Sequence, residues 1–148
     1  MAFPERAGGS IVPIKSGTDG RRSMLAQSDL VAFVATADAA KARAFYQDTL
    51  RLKLIEDSPF AVVFDANGTM LRVTKVQNVV AVPYTILGWQ VTDIAAEVRE
   101  LAARGIRFEK FPGMDQDEDG IWVSPGGARV AWFKDPDGNT LSLTQAPG

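Results

Sequence analysis

The chain contains no cysteine and no histidine in its 148 residues. Their absence excludes disulfides, thiolate nucleophiles, Cys/His zinc sites and the serine–histidine–aspartate catalytic system. It also excludes the iron site built from two histidines and one carboxylate. An excess of positive charge is missing too, because the formal net charge is −2 and the pI is about 5.1. Since nucleic-acid binding needs a concentrated basic surface, we expect no nucleic-acid partner.

Long hydrophobic runs are equally absent, because none approaches the roughly 20 apolar residues that a bilayer-spanning helix needs. We therefore expect no membrane partner. Residues 1–28 are rich in glycine and proline, have little periodicity and show no export cleavage site after an apolar stretch. These features predict a flexible N-terminal arm over 1–28 and a cytoplasmic protein. With 46% hydrophobic and 23% charged residues the chain can build a core, and the folded domain is expected over 29–145.

Hydrophobic periodicity predicts a strand, a helix and three further strands between residues 29 and 77. Asp38 is the expected N-cap of the helix, because an aspartate side chain accepts the free amide protons of a first helical turn. Asn67-Gly68 indicates a type I′ hairpin, since both central residues of that turn need a positive φ. The strands predicted in this first module cover 30–35, 52–56, 60–65 and 70–76.

The same order of elements recurs between residues 82 and 145. Asp93 is the expected cap of a second helix, and Gly105 its left-handed stop. The two caps are 55 positions apart, and the hairpin glycines Gly68 and Gly138 are 70 positions apart. This spacing indicates a duplicated βαβββ unit with about 15 extra residues in its second copy. The strands predicted in this second module cover 84–91, 106–111, 121–124, 129–133 and 140–144.

Two short motifs accompany the duplicated pattern. They are Asp38 with Phe45-Tyr46 and Leu50-Arg51-Leu52, and the run FKDPDGN over 133–139. With these motifs the chain resembles the vicinal oxygen chelate superfamily, which includes glyoxalases, bleomycin-binding resistance proteins and extradiol dioxygenases. The resemblance implies the glyoxalase/bleomycin resistance fold, an α+β fold in which two tandem βαβββ modules, 29–77 and 82–145, form a cup-shaped mixed sheet. It also implies a homodimer.

Both motifs are expected to serve the fold rather than chemistry. The DPDG sequence at 135–138 is a turn in which proline presets φ and glycine takes the left-handed position. Phe45 and Tyr46 are expected to fill the core between helix and sheet, with the Tyr46 hydroxyl reaching a backbone partner.

In metal-dependent members of the superfamily, two positions on each module present ligands to one divalent cation. The resemblance places these positions at Val31, Arg72, Ile86 and Ser142. Valine and isoleucine have no lone pair, serine alone is a poor ligand, and arginine brings a positive charge. A one-residue shift of the strands brings in no histidine, cysteine or acidic residue. We therefore expect no metal and no cofactor.

One acidic stretch has a motif of its own. DQDEDG over 115–120 has the spacing of the first half of a calcium-binding EF-hand loop. Its twelfth position, which should carry a bidentate glutamate, is Gly126, and a strand rather than a helix is predicted after the loop. We expect a solvated acidic loop, with weak calcium binding as the alternative.

Strand alternation gives an expected lining for the cup, because alternate residues share one face of a sheet. The lining is mostly apolar and aromatic with a few polar groups, a mixture that suits an organic ligand. Arg72 is expected either to grip an anionic group of that ligand or to pair with Asp65. For the tryptophans, ordinary packing is the alternative. The predicted ligand-binding residues are Phe33, Met70, Arg72, Tyr84, Ile86, Gln90, Trp122, Trp132 and Ser142.

Two main functions fit such a cup. The first is metal-free binding of a small, largely apolar or aromatic organic molecule, similar to the drug-sequestering resistance proteins. The second is a metal-independent lyase or isomerase that acts on an organic acid, with Arg72 stabilising an oxyanion. No catalytic residue is assigned, because no carboxylate is placed in the cup. A structural or regulatory role, with the cup filled by the protein itself, is a third function, and metal-dependent chemistry is a distant fourth.

Overall fold

Two four-stranded mixed sheets and two helices make up residues 24–148, the part of the chain described in the computed structural model. The first module contains β1 (Val31–Thr36), α1 (Ala39–Ala44), a π-helical turn (Phe45–Thr49), β2 (Lys53–Asp57), β3 (Ala61–Ala66) and β4 (Thr69–Lys75). The second module contains β5 (Leu87–Gln90), α2 (Ile94–Ala103), β6 (Trp122–Val123), β7 (Arg129–Lys134) and β8 (Thr140–Gln145). The predicted α+β class is confirmed. Within the expected arm, Leu25–Gln27 form a 3-10 turn, and residues 1–23 lie outside the described part.

The two sheets repeat one topology. Their strand orders are β1-β4-β3-β2 and β5-β8-β7-β6. In each sheet the first strand of the module runs parallel to its last strand, and the other pairs are antiparallel. The register repeats as well, because Phe33 pairs with Arg72 and Gly88 pairs with Ser142. The predicted duplication of a βαβββ unit is therefore visible in the pairing of individual residues.

The strand predicted over 106–111 does not form, and that prediction is wrong. The segment makes one backbone hydrogen bond to the sheet, from Glu109 N to Trp132 O at 2.8 Å. The side chain of Gln116 forms hydrogen bonds with other backbone groups of the segment: its amide nitrogen donates to Glu109 O, and its carbonyl oxygen accepts from Phe111 N. The sheet is instead continued by the two residues of β6. The strand predicted over 84–91 is also shorter, since pairing begins at Leu87.

The predicted caps and turns are confirmed. The Asp38 carboxylate accepts from Lys41 N at 3.2 Å, and the Asp93 carboxylate accepts from Ala96 N at 3.1 Å. Asn67 and Gly68 have φ values of 52° and 93°, as the type I′ hairpin requires. These local signals set the ends of the helices and the register of the first hairpin.

A single hydrophobic core is shared by both modules and is built from residues of both sheets and of the helices. Its members include Val34, Tyr46, Val62, Phe64, Leu71 and Val73 from the first module and Ile94, Val98, Leu101, Phe133, Leu141 and Leu143 from the second. Phe133 is fully buried there, as predicted, so the alternate residues of β7, Val130 and Trp132, lie on the opposite face. Because the core faces of both sheets are used in this contact, their opposite faces are directed outward.

The DPDG turn joins the second module to the first. Asp137 accepts hydrogen bonds from the Thr36 hydroxyl at 2.6 Å and from Ala37 N at 2.9 Å, and the Asn139 amide donates to Ala35 O at 2.9 Å. Asp135 accepts from the Tyr46 hydroxyl at 2.7 Å. The turn carboxylates are thus structural, as predicted. The prediction that the Tyr46 hydroxyl has a backbone partner is wrong, because the hydroxyl donates to the Asp135 carboxylate.

The Tyr46 hydroxyl lies in an environment that opposes ionisation. Burial, and next the negative charge of Asp135, raise the pKa of Tyr46 far above its ordinary value of 10.0. The hydroxyl therefore stays a hydrogen-bond donor to Asp135 at any physiological pH.

Between residues 24 and 148 there is no helix with the length and apolar character needed to cross a bilayer.

Candidate functional site

The outward faces of the two sheets carry the residues predicted to line the cup. The module-one outer face is formed by Phe33 on β1 and by Met70 and Arg72 on β4, because the residues between them point into the core. The module-two outer face is formed by Gly88, Ser142 and Trp132, which are paired across β5, β8 and β7. Both faces are therefore built by the same alternation of strand residues, as the sequence pattern predicts.

A cavity of about 530 Å³ lies between β1 and the connection that joins the two modules, and we call it the apolar cavity. Phe33 and Thr74 contribute to it from the first module, and Tyr84 and Ile86 from the second. The connection between the modules contributes Val76, Asn78, Val79, Val80 and Val82, and the remaining described lining residues are Val34, Ala35 and Asn139. Its volume lies within the range of about 300–1,000 Å³ that is usual for small-molecule sites.

The chemistry of the apolar cavity is simple. Its described lining contains no aspartate, glutamate, lysine or arginine, and Tyr84 is its one titratable residue. The side chains of Phe33 and Tyr84 are 60% and 64% exposed. Exposed rings of this kind bury a large area when a ligand or a protein surface covers them. The cavity is therefore suited to hold a hydrophobic molecule, and it lacks a carboxylate that could act as a general base.

Three aromatic rings form a cluster on the module-two outer face, which we call the aromatic cluster: Phe111, Trp122 and Trp132. The Phe111 and Trp132 rings meet edge to face with centroids 5.5 Å apart, and the two indoles are tilted with centroids 6.1 Å apart. Next to Trp132, the buried Ser142 lies across from Gly88. A Cβ added to Gly88 would come within 2.9 Å of the Ser142 hydroxyl oxygen. Glycine therefore leaves the space that this serine occupies.

Arg72 is a half-buried cation on the module-one outer face. Its strand neighbours are Phe33 and Val63, which have no charge. Within residues 24–148 its guanidinium has neither an ion pair nor a side-chain hydrogen bond. The expected alternative of a pair with Asp65 is not formed, since the Asp65 carboxylate accepts from Gly68 N at 2.7 Å. The guanidinium donors are therefore available to a ligand.

The predicted lining residues are not gathered into one pocket of a single chain. Phe33, Tyr84 and Ile86 line the apolar cavity. Arg72 and Met70 lie on the module-one outer face beyond the lining of that cavity, and Ser142, Trp122 and Trp132 lie on the module-two outer face. Gln90 borders a smaller cavity of about 160 Å³ on the side of α2.

The valines of the connection between the modules were missed as wall residues by the sequence pattern. A run of valines at 76, 79, 80 and 82 between two modules is the signal that could have indicated them, because a solvated linker has no need of so many apolar residues.

The four positions that hold a divalent cation in metal-dependent relatives are unsuited to that task here. Val31 and Ile86 supply no ligand atom, Arg72 supplies a cation, and only Ser142 carries an oxygen. Among the described residues no group of three or more acidic side chains is placed to hold a metal ion. The donor set therefore does not fit the superfamily's metal.

The acidic loop of the second module is folded as a turn before a strand. The Asp117 carboxylate accepts from Asp119 N and Ile121 N, both at 2.9 Å, and Asp119 pairs with Arg99 at 3.5 Å. The loop leads into β6 and not into a helix. This geometry agrees with a solvated loop and differs from the helix-flanked EF-hand.

A family model described as Glyoxalase/Bleomycin resistance protein/Dioxygenase superfamily matches residues 28–143 of the chain. The protein therefore belongs to this superfamily, as the sequence motifs indicated. No curated protein matches its sequence.

Solved structures of other members share the fold. A superfamily member from Sphaerobacter thermophilus is 25% identical, with a TM-score of 0.61 over 80% of this chain and 97% of that chain. Lactoylglutathione lyase from Agrobacterium tumefaciens is 20% identical, with a TM-score of 0.61 over 81% and 94% of the two chains. TnmS3, an antibiotic binding protein from Streptomyces sp. CB03234, is 24% identical, with a TM-score of 0.61 over 85% and 100%. The last two likenesses establish the fold alone.

Proposed function

We propose that this protein binds and sequesters a small, largely apolar or aromatic organic molecule and uses no metal. The proposal rests on the apolar cavity, which combines Phe33, Tyr84 and Ile86 with the valines of the connection. Burial of apolar surface contributes roughly 25 cal/mol per Å², so a planar ligand that covers these side chains is held mainly by the hydrophobic effect. TnmS3 shows that an antibiotic binding protein exists on this fold.

We also propose that the working form is a cytoplasmic homodimer. Large hydrophobic side chains are exposed on or beside both outer faces, among them Phe33, Tyr84 and Phe111. Contiguous apolar surface of this kind marks an interaction site in soluble proteins. A second copy placed against these faces would cover the side chains and would bring Arg72 of one face near the rings of the other.

The alternative function is a metal-independent lyase or isomerase that acts on an organic acid. It is favoured by the free, half-buried guanidinium of Arg72, which could stabilise an oxyanion that develops during reaction. It is disfavoured by the described lining of the apolar cavity, in which no carboxylate is available to move a proton.

The test is a ligand screen with the full-length protein. Aromatic antibiotics and aromatic carboxylic acids are added in differential scanning fluorimetry, with EDTA present throughout. A ligand at a hundredfold excess over its Kd should add about 2.7 kcal/mol to the free energy of unfolding. Mass spectrometry of the recovered compound then separates the two functions, because sequestration returns it unchanged and catalysis returns a product.

Variants connect the result to the cavity. Phe33→Ala should abolish most of the thermal shift, whereas Phe60→Ala removes an equally exposed ring outside the cavity lining and should leave the shift intact. A ligand that shifts Phe33→Ala as much as the unchanged protein would show that binding occurs elsewhere.

A further inference from the structure

A different cavity, of about 310 Å³, lies at the junction of the two modules, and we call it the basic cleft. It shares no described lining residue with the apolar cavity. Three cations line it, namely Arg104 and Arg107 after α2 and Lys134 at the end of β7. Two acids also line it, namely Glu109 and Asp135. Which of these charges are already compensated within the protein determines what the cleft can bind.

Arg104 is a fixed charge of this cleft. Its Nη1 donates to Thr49 O of the first module at 2.8 Å, and its Nη2 donates to Glu100 at 3.0 Å. Its Nε is buried without a hydrogen-bond partner. The side chain is only 22% exposed, so the guanidinium is held in place and is only partly compensated.

Arg107 and Lys134 are uncompensated cations. Both side chains are exposed, and within residues 24–148 neither makes an ion pair or a side-chain hydrogen bond. Two free cations and one partly compensated guanidinium around one cavity repel each other. An anion placed between them relieves that repulsion and gains charge-assisted hydrogen bonds.

The two acids differ in their availability. The Asp135 carboxylate is used within the junction, because it accepts from the Tyr46 hydroxyl, from two backbone amides and from the Asn139 side chain. Glu109 is half-buried, and no partner of its side chain is found in the described part of the chain. The carbonyls at the end of α2 are occupied as well, since Leu101 O and Ala102 O accept from the residues that follow. Glu109 therefore offers a free carboxylate that a ligand donor could meet.

We propose that the basic cleft binds a small oxyanion of phosphate or carboxylate chemistry. Arg107 and Lys134 hold the anionic group in front of Arg104. Glu109 accepts a hydrogen bond from a hydroxyl or amine elsewhere on the same molecule. The cleft shares no described lining residue with the cavity assigned to the aromatic ligand, so a negative result at one site would not contradict the proposal for the other.

The experiment titrates the full-length protein with inorganic phosphate, glycerophosphate and succinate by isothermal calorimetry at constant ionic strength. At least one of these anions should bind stoichiometrically. The double variant Arg107→Gln/Lys134→Gln should lose roughly tenfold or more in affinity, because two charge-assisted contacts are removed. Glu109→Gln should bind inorganic phosphate more tightly than the unchanged protein, since a nearby negative charge is removed. The comparison of phosphate with succinate shows which oxyanion the cleft prefers.

The matched control is Lys53→Gln/Lys110→Gln, which removes the same charge from exposed lysines outside the cleft lining. Its affinity should equal that of the unchanged protein. The proposal is overturned if no anion binds, if the control loses as much affinity as the cleft variant, or if chloride titrated at equal ionic strength gives the same binding signal. Within residues 24–148 none of the substituted side chains makes an ion pair or a side-chain hydrogen bond, so unchanged thermal midpoints confirm that the variants are folded.

Discussion

The two modules use the same scaffold and present different chemistry on their outer faces. At equivalent places in the register, the first module has Phe33, Arg72 and Val63 in a row across the sheet. The second module has Gly88, Ser142 and Trp132. The first row contains a free cation, Arg72, and the second contains an aromatic ring, Trp132, beside the small residues Ser142 and Gly88. In the dimer proposed above, a ligand between the module-one outer face of one copy and the module-two outer face of the other would meet a charge at one end and an aromatic ring at the other.

The core faces of the two modules, in contrast, are alike. Phe64 pairs with Leu71 in the first module, and Phe133 pairs with Leu141 in the second. All four side chains are buried. Close packing limits substitutions on this side, because each change in volume costs free energy. The outer faces are limited in this way at only some positions, such as Val63 and Ser142, so the differences at their more exposed positions are where function is to be sought.

The largest effect on stability is expected from a substitution among the paired core residues. Phe133→Ala removes a fully buried ring and should lower the free energy of unfolding by about 3–5 kcal/mol. Trp132→Ala, the neighbour on the outer face, should cost much less because the indole is only partly buried. Urea denaturation measures both. Equal losses would mean that the two faces of β7 are under the same packing constraint.

Tyr46 connects the modules, and its removal should have the next largest effect. Tyr46→Phe deletes the donor to the buried Asp135 and should cost about 1.5–3 kcal/mol, as for hydrogen bonds to charged groups. Tyr84→Phe, at an exposed hydroxyl, is the control and should have no measurable effect on the unfolding midpoint.

The same tyrosine should give an alkaline limb to the stability curve. The pKa of Tyr46 is raised in the folded state, so the folded protein keeps the proton that the unfolded chain loses near pH 10. Its contribution is fully present below that pH and is lost as the pH rises, by about 1.4 kcal/mol per pH unit. Tyr46→Phe should abolish this slope. A variant that keeps the full slope would assign it to other groups.

The proposed dimer brings Arg72 of one copy near the aromatic rings of the other, and two aromatic probes that differ in charge test whether a ligand binds between these faces. Arg72→Gln should weaken binding of naphthoic acid roughly tenfold and leave binding of naphthylmethanol unchanged, because only the acid has a charge for the guanidinium. Trp132→Ala should weaken both probes alike, since stacking does not depend on that charge. Fluorescence titration provides the affinities, and Lys53→Gln is the control for net charge. If Arg72→Gln changed the affinities of both probes equally, the proposed role of Arg72 in binding the charged group would be contradicted.

The smallest effect is expected at the surface ion pairs, where the modules also differ. In the first module Asp57 pairs with Lys75 at 2.9 Å and with Arg43 at 3.0 Å, and these cations lower the pKa of Asp57. Its stabilising contribution is present above pH 3.8, the ordinary pKa, and is lost as the pH falls further. Asp57→Asn should flatten this acid limb slightly, and high salt should reduce the difference. In the second module, breaking the more exposed Arg99–Asp119 pair with Asp119→Asn should change less.

Local signals explain what could be predicted from the sequence. Asp38, Asp93 and Asn67-Gly68 specify caps and a turn through atoms only a few residues away, and these predictions are confirmed. The alternation of β7 likewise predicted that Phe133 and Trp132 face opposite ways, because alternation is a property of the strand itself.

What could not be predicted depends on distant partners. The segment at 106–111 is apolar enough for a strand, yet the side chain of Gln116 takes its backbone groups. The partner of Tyr46 is 89 positions away along the chain. The wall of the apolar cavity depends on where the connection between the modules passes. Each of these features requires the tertiary structure, which residue spacing alone does not contain.

The hydrogen bond from Thr36 to Asp137 joins residues 101 positions apart, so the end of β1 depends on the DPDG turn of the second module. During synthesis the chain must be made as far as Asp137 before β1 acquires this partner. We expect a fragment that ends at residue 77 to stay collapsed but incompletely ordered, and the full chain to fold slowly for its size because its decisive contacts have high sequence separation. We therefore expect the two modules to fold as one unit, although their topology is a repeat.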